Sequence, residues 1–99
     1  MTHIVENVRF RLADGVSAEA FLEANKAVAA WLSARAGFVA RTLSEGPDGQ
    51  WPDHVEWTDM ASARAASEAM MSEENLAPFG MAIAAGSIEM RHDRLRWKG

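Results

Sequence analysis

The stretch that decides the fold runs from residue 38 to 58 and has the sequence FVARTLSEGPDGQWPDHVEWT. Its centre is the tetrapeptide GPDG at residues 46–49. This tetrapeptide is typical of a tight turn, because proline presets the first central backbone angle and glycine accepts a positive φ. The segments on either side, residues 38–45 and 51–58, are the predicted strands. The middle of the chain is therefore predicted to be a β-hairpin.

A strand and a helix are predicted before this hairpin. Apolar residues alternate over residues 3–12, which predicts a strand whose even-numbered positions, Glu6 among them, face a core. After Asp14-Gly15 the apolar spacing changes to three and four residues, which predicts a helix over residues 18–35 with Ser17 as its N-cap. The apolar stripe of this helix comprises Phe21, Ala24, Asn25, Val28, Trp31 and Leu32.

A second helix and a last strand are predicted after the hairpin. Asp59 can cap a helix from Met60 to about Met71, and a kink or a short extra helix is expected before Pro78. Residues 77–86 are expected to be irregular, or at best a partial turn, because of their proline and glycines. Residues 87–97 are predicted to form the last strand.

The resulting order, β-α-β-β-α-β, predicts an α+β, ferredoxin-like fold in which both helices cover one face of a four-stranded antiparallel sheet. His54 and Glu56 fall on the uncovered face. Three alternatives are left open for the other positions on this face. They are Trp51 or His54, Arg41 or Thr42, and Val5 or Asn7. Such a face is too apolar in places to stay in water, so we expect a homodimer that forms through the sheets.

Composition limits the class of protein. With 99 residues the chain is long enough for a single domain, residues 1–99. A net charge of −4 argues against nucleic acid as a partner, and zero Cys excludes disulfides and cysteine nucleophiles. No apolar run is long enough for a membrane span and no secretion signal is evident, so a cytoplasmic location is the default expectation. Three His on different strands predict no metal site, and no glycine-rich phosphate loop occurs.

The chain resembles the dimeric α/β-barrel superfamily, and within it the branch similar to antibiotic-biosynthesis monooxygenases. The resemblance covers almost the whole chain. It depends on the element order, on the first strand HIVENVRF at residues 3–10, and on the block HVEWTD at residues 54–59 followed by Ala63, Ala66 and Met70. It implies a sheet-to-sheet dimer and, for some members, oxygenation of electron-rich phenols or quinols without a cofactor.

Heme-degrading members of this superfamily use an Asn on the first strand and a His in the second helical region. Here Asn7 is predicted to point away from the pocket, and no His occurs between Asp59 and Gly86. We therefore expect no heme and no other cofactor.

Cofactor-independent oxygenation needs an apolar pocket, a polar group that deprotonates the substrate, and aromatic walls. Glu6 lies in phase with the core side of the first strand, and His92 would come near it if the last strand pairs antiparallel with the first. These two are the candidate catalytic acid and base, while Asn25, Trp57 and Phe79 are the candidate residues for binding a small aromatic ligand.

Other interpretations remain open for each of these residues. Glu6 can be a structural carboxylate paired with an arginine such as Arg91 or Arg94, and His92 a satisfied strand histidine. Trp57 and Phe79 can belong to the core. The functional alternatives are a non-catalytic dimeric binding or stress-response protein, in which the interior is filled, and a small isomerase or lyase on the same scaffold.

Overall fold

The secondary structure follows the predicted order, with one added helix. The computed structural model describes residues 2–99. Its elements are β1 (Ile4–Arg11), α1 (Ala18–Ser33), β2 (Phe38–Leu43), β3 (Gln50–Trp57), α2 (Met60–Met70), α3 (Ala77–Met81) and β4 (Glu89–Arg94). A single 3₁₀ turn, Glu74–Leu76, leads into α3. The predicted α+β, ferredoxin-like fold is confirmed.

The four strands form one antiparallel sheet in the order β2-β3-β1-β4. β1 is a central strand, and Glu6 lies between Val55 of β3 and His92 of β4. Because side chains alternate along a strand, all three belong to the same face of the sheet. This is the face that the helices cover. The other face, called the open face below, carries the odd-numbered residues of β1.

Aromatic rings fill the space between the helices and the sheet. Phe21 of α1 is fully buried, and its ring centroid lies 5.0 Å from that of Trp51, 5.6 Å from Phe10 and 4.8 Å from Phe79. Aromatic pairs at such distances add about 0.5–1.5 kcal/mol each to what their burial contributes. The cluster therefore fixes both α1 and α3 on the sheet.

The turn and the helix caps that the local sequence predicts are present in the structure. The Ser17 hydroxyl accepts a hydrogen bond from the Ala20 N–H at 3.1 Å, which caps α1. The Asp59 carboxylate accepts from the Ser62 N–H at 2.8 Å and caps α2. The N–H of Gly46 donates to the Gln50 carbonyl at 2.7 Å, which closes the hairpin.

One sequence prediction about element type is wrong, and the structure decides the alternatives that were left open about which face a residue occupies. Residues 77–81 are helical rather than irregular, because Pro78 occupies the first turn, where its missing N–H leaves no helical hydrogen bond unmade. Trp51 lies on the helix-covered face, opposite Phe10 and against Phe21, and is buried. Of the pairs left open, His54 and Thr42 are on the open face, while Arg41 faces the helices.

The last strand is shorter than predicted and ends at Arg94. The Leu95 N–H still donates to the His3 carbonyl at 2.8 Å, but the Lys98 ammonium then donates to Glu56 at 2.8 Å on the open face. This ion pair draws the end of the chain away from the edge of the sheet.

Candidate functional site

Glu6 and His92 are in contact on the helix-covered face. The Nε2 atom of His92 lies 2.9 Å from Oε2 of Glu6, and the Ser67 hydroxyl lies 3.3 Å from the same oxygen. The Glu6 residue is 8% exposed, and the His92 side chain is 21% exposed. The structure thus brings together the two residues that the sequence proposed as acid and base, and it adds Ser67.

The local sequence explains how these three side chains meet. The alternation of β1 turns Glu6 toward the helices, and the antiparallel pairing with β4 puts His92 directly opposite. Helix α2 contacts the sheet through Ala63 and Ala66, which are both buried. Their small side chains allow a close approach, so the short hydroxyl of Ser67 reaches Glu6. Sequence reasoning missed Ser67, although it lies four residues after Ala63 on the same side of α2.

This arrangement can move a proton. When Nε2 of His92 donates to the Glu6 carboxylate, the imidazole is held in the tautomer whose Nδ1 atom is basic. Among residues 2–99, no hydrogen bond occupies this Nδ1 atom. His92 therefore has a free basic nitrogen, and Glu6 can stabilise the positive charge after the imidazole takes a proton.

Asn25 and Phe79 belong to a second polar cluster centred on Arg41. The Arg41 guanidinium donates two hydrogen bonds of 2.9 Å to the Asp53 carboxylate and one of 2.6 Å to Oδ1 of Asn25. It also lies 5.7 Å from the centre of the Phe79 ring. Asn25 thus binds an arginine rather than Glu6 or His92. A sequence signal for Asp53 existed, because it alternates in phase with the buried Val55 and Trp57.

Trp57 carries an unsatisfied donor in the same layer. It is 1% exposed, packs edge-on against Phe38 at 5.9 Å, and lies opposite Ile4 of β1. Its indole Nε1 has no hydrogen-bond partner. A buried donor left without a partner costs about 1–3 kcal/mol, so an acceptor atom placed there would be stabilised. Ile4, opposite Trp57, is two residues from Glu6 on the same face, so Trp57 and Glu6 belong to the same layer.

The side-chain packing leaves hollows at the surface. Three of these have volumes of about 510, 420 and 380 Å³. The largest lies between the end of α2 and α3, where Met70 and Phe79 form part of its wall. Glu6 and His92 line none of the three. Met70 follows Ser67, which donates to Glu6, by one helical turn along α2.

On the open face, a carboxylate holds both ends of the described chain. Glu56 of β3 is bonded to Lys98 and to the Nδ1 atom of His3. The hydrogen bond from Lys98, followed by that from His3, holds the pKa of Glu56 below its ordinary value. Hydrogen bonds from Ser62 and Thr58 likewise lower the pKa of Asp59, the cap of α2.

Two further features bear on the class of protein. Within residues 2–99, no three His, Asp or Glu side chains are grouped so that they could hold a metal ion. In the same part of the chain, no helix has the length and apolar character needed to cross a membrane.

The fold matches solved structures over the whole chain, at low sequence identity. SnoaB, a cofactor-independent oxygenase from Streptomyces nogalater, is 19% identical with a TM-score of 0.67, covering 100% of this chain and 96% of that protein. A monooxygenase from the ActVA-Orf6 gene of Streptomyces coelicolor, solved with nanaomycin D, is 16% identical with a TM-score of 0.70, covering 98% and 90%. A dimeric ferredoxin-like protein from an uncultured marine organism is 14% identical with a TM-score of 0.72, covering 100% and 92%.

Candidate antibiotic biosynthesis monooxygenases and proteins of unknown function also match. No family profile and no curated protein matches the sequence. The chain therefore has the ferredoxin-like fold of antibiotic biosynthesis monooxygenases, as its sequence resemblance indicates.

Proposed function

We propose that the protein is a cofactor-independent oxygenase that acts on a small aromatic, quinol-like compound. The observation that carries the proposal is the Glu6–His92 pair, in which a covered carboxylate orients an imidazole with a free basic nitrogen. Support also comes from the fold, which SnoaB, a cofactor-independent oxygenase, shares.

In the proposed reaction, Nδ1 of His92 takes the proton of the substrate hydroxyl and Glu6 stabilises the imidazolium that results. The phenolate is electron-rich and reduces molecular oxygen directly. In the simplest case a phenol becomes a quinone. One oxygen atom replaces a ring hydrogen and the other leaves as water, so the substrate supplies all the electrons and no external reductant is consumed.

The remaining candidate residues have proposed roles in binding. The free indole N–H of Trp57 would donate to a ligand oxygen, and the Phe79 ring would form an aromatic wall that continues into the largest hollow. Asn25 would act through its amide nitrogen, because its oxygen is bonded to Arg41. The flexible side chain of Met70, which lines the largest of the three hollows, would let a substrate approach from that side.

Oxygen uptake across a panel of phenols and quinols tests this proposal. With a substrate that is turned over, we expect Glu6→Gln and His92→Ala each to lower the rate at least about 100-fold, the usual contribution of general base catalysis. Glu45→Gln is the matched control, because Glu45 is exposed and lies outside the Glu6–His92 site. Rates equal to wild type in folded Glu6 and His92 variants would remove both residues from the mechanism.

One observation favours a non-catalytic binding protein as a second candidate. None of the three hollows described above reaches Glu6 or His92. The arginine partner expected for Glu6 in that case is not seen, since Arg91 donates to Asp93 and Glu6 bonds to His92 and Ser67. Ligand binding without oxygen uptake or conversion identifies this class, whereas conversion without oxygen uptake identifies the isomerase or lyase.

We further propose that the partner of the open face is a second copy of the chain. This face carries half-buried Val5 and exposed Thr42 beside charged residues, and helices cover only the opposite side. A dimeric protein of the same fold, solved from an uncultured marine organism, supports the pairing. A mass by light scattering of twice the 10.8 kDa chain is the expected result.

A further inference from the structure

The last residues of the chain lie on the open face, beside the start of β1. The segment of residues 95–99, called the tail below, is held there by the bond from Leu95 to His3 and by the ion pair from Lys98 to Glu56. Trp97 lies between these two anchors and is 83% exposed. The structure thus holds a large aromatic ring in solvent beside the face proposed to pair with a second copy.

The same face has a hollow of about 420 Å³ further along β1 and β4. It is lined by Asn7, Arg9, His54, Glu89, Met90 and Arg91. Arg9 and Arg91 lie on neighbouring strands at diagonal positions, since Arg9 faces Glu89 and Asn7 faces Arg91. Two guanidinium groups therefore border a space large enough for an indole.

The positions of the tail and the hollow fit a dimer with two-fold symmetry. His3, beside the tail, and Arg9, in the hollow, are six residues apart on β1, or about 20 Å at 3.3–3.4 Å per residue. A two-fold axis that lies between the facing sheets, perpendicular to β1 and midway between these residues, exchanges the two positions. It places the tail of each copy over the hollow of the other. A pairing that put the two tails against each other would hold the sheets apart.

We propose that Trp97 of each copy docks into the hollow between β1 and β4 of the second copy. The ring stacks there against the guanidinium groups of Arg9 and Arg91. Arg96 then approaches the acidic Glu89 at the rim. The interface is isologous, so two identical contacts form. This inference rests on the proposed pairing of the open faces and specifies its register.

Cysteine cross-linking tests the register directly, because the chain contains zero Cys. Two differently tagged copies, one carrying Arg96→Cys and the other Glu89→Cys, are mixed and oxidised. We expect a disulfide between the two tags. Within one chain Glu89 begins β4 and Arg96 lies in the tail beyond its end, which limits competing internal closure. The control replaces Arg96→Cys by Met71→Cys, an 88% exposed residue on the helix side, and should give no cross-link with Glu89→Cys.

A second measurement uses Trp97→Ala in sedimentation equilibrium. We expect the dimer dissociation constant to rise at least tenfold, whereas Leu22→Ala, which removes an exposed apolar side chain from α1, should leave it unchanged. A dimer that forms no cross-link and is indifferent to Trp97→Ala overturns the docking but keeps the sheet pairing. A chain that stays monomeric at high concentration overturns both.

Discussion

Among individual residues, the two buried polar clusters differ in what they leave available. Arg41 is tied to Asp53 and Asn25 by three hydrogen bonds, and its side chain is 8% exposed. His92 makes one hydrogen bond, to Glu6, and retains a free ring nitrogen. The Arg41 cluster is therefore suited to joining α1 to the hairpin, and the Glu6 cluster to chemistry.

The first prediction concerns Asp53. Asp53→Ala leaves the Arg41 guanidinium without its carboxylate in a covered site. We expect the free energy of unfolding to fall by about 3–5 kcal/mol, the usual cost of breaking a buried pair from one side. Urea denaturation measures the change. Glu23→Ala, which breaks the exposed pair with Lys26, should change it by less than about 1 kcal/mol.

Replacing both partners separates the pair's contribution from the cost of an unpaired charge. The Arg41→Met, Asp53→Leu double variant should be more stable than Asp53→Ala alone, because no buried charge is left. Equal losses of unfolding free energy in Asp53→Ala and Glu23→Ala would show that the Arg41 site is as solvated as the surface.

At the scale of elements, the connection between α1 and β2 fits closely against α2. Gly37 has φ +83°, and a Cβ atom there would collide with the side chain of Ser62 in the first turn of α2. The Gly37 carbonyl also accepts a hydrogen bond from the Thr58 N–H at 2.8 Å. Gly86 has a similar φ of +78° but open space around it.

These two glycines provide a matched pair of substitutions. Gly86→Ala meets only the left-handed backbone cost, about 1–2 kcal/mol. Gly37→Ala meets that cost and the collision with Ser62, so it should lower the melting temperature more. Ser62→Gly in the Gly37→Ala background should restore part of the difference. If both alanine variants melt together, the approach of α2 to this turn is looser than described.

The sequence predicted the elements that depend on nearby residues. It did not predict the features that depend on contacts between residues distant in sequence. Ser17, Asp59 and the 46–49 turn act within a few residues of themselves, and each was found. The end of β4 depends on Lys98 meeting Glu56, and α3 is held by the packing of Phe79 on Phe21. The alternation of β1 predicted that Glu6 faces inward, but only the strand register shows that His92 lies opposite.

For the whole molecule, the open face is held together by charge as well as by backbone pairing. Because hydrogen bonds from Lys98 and His3 lower the pKa of Glu56 in the folded protein, its ionised form stabilises the fold. This contribution is fully present above the ordinary glutamate pKa of about 4.5 and is lost as the pH falls through the lower folded value.

The free energy of unfolding at acid pH should depend on the Glu56 carboxylate. Above about pH 5 Glu56→Gln should be less stable than wild type, and the difference should shrink as the pH falls below about 4.5. Urea midpoints at a series of pH values measure it. Glu45→Gln, at an exposed site, should follow the wild-type curve throughout. A difference that persists unchanged at the lowest pH would contradict a charge effect.

The strand order has a consequence for how the chain folds. β1 pairs on both sides with strands that come much later, and Glu6 and His92 are 86 positions apart in sequence. Long-range pairing of this kind makes folding slower than in helical bundles, which are rich in local contacts. A chain still growing on the ribosome cannot complete its central strand until β4 has emerged. Until then, the edge of β1 that will receive His92 is open to pairing with another chain.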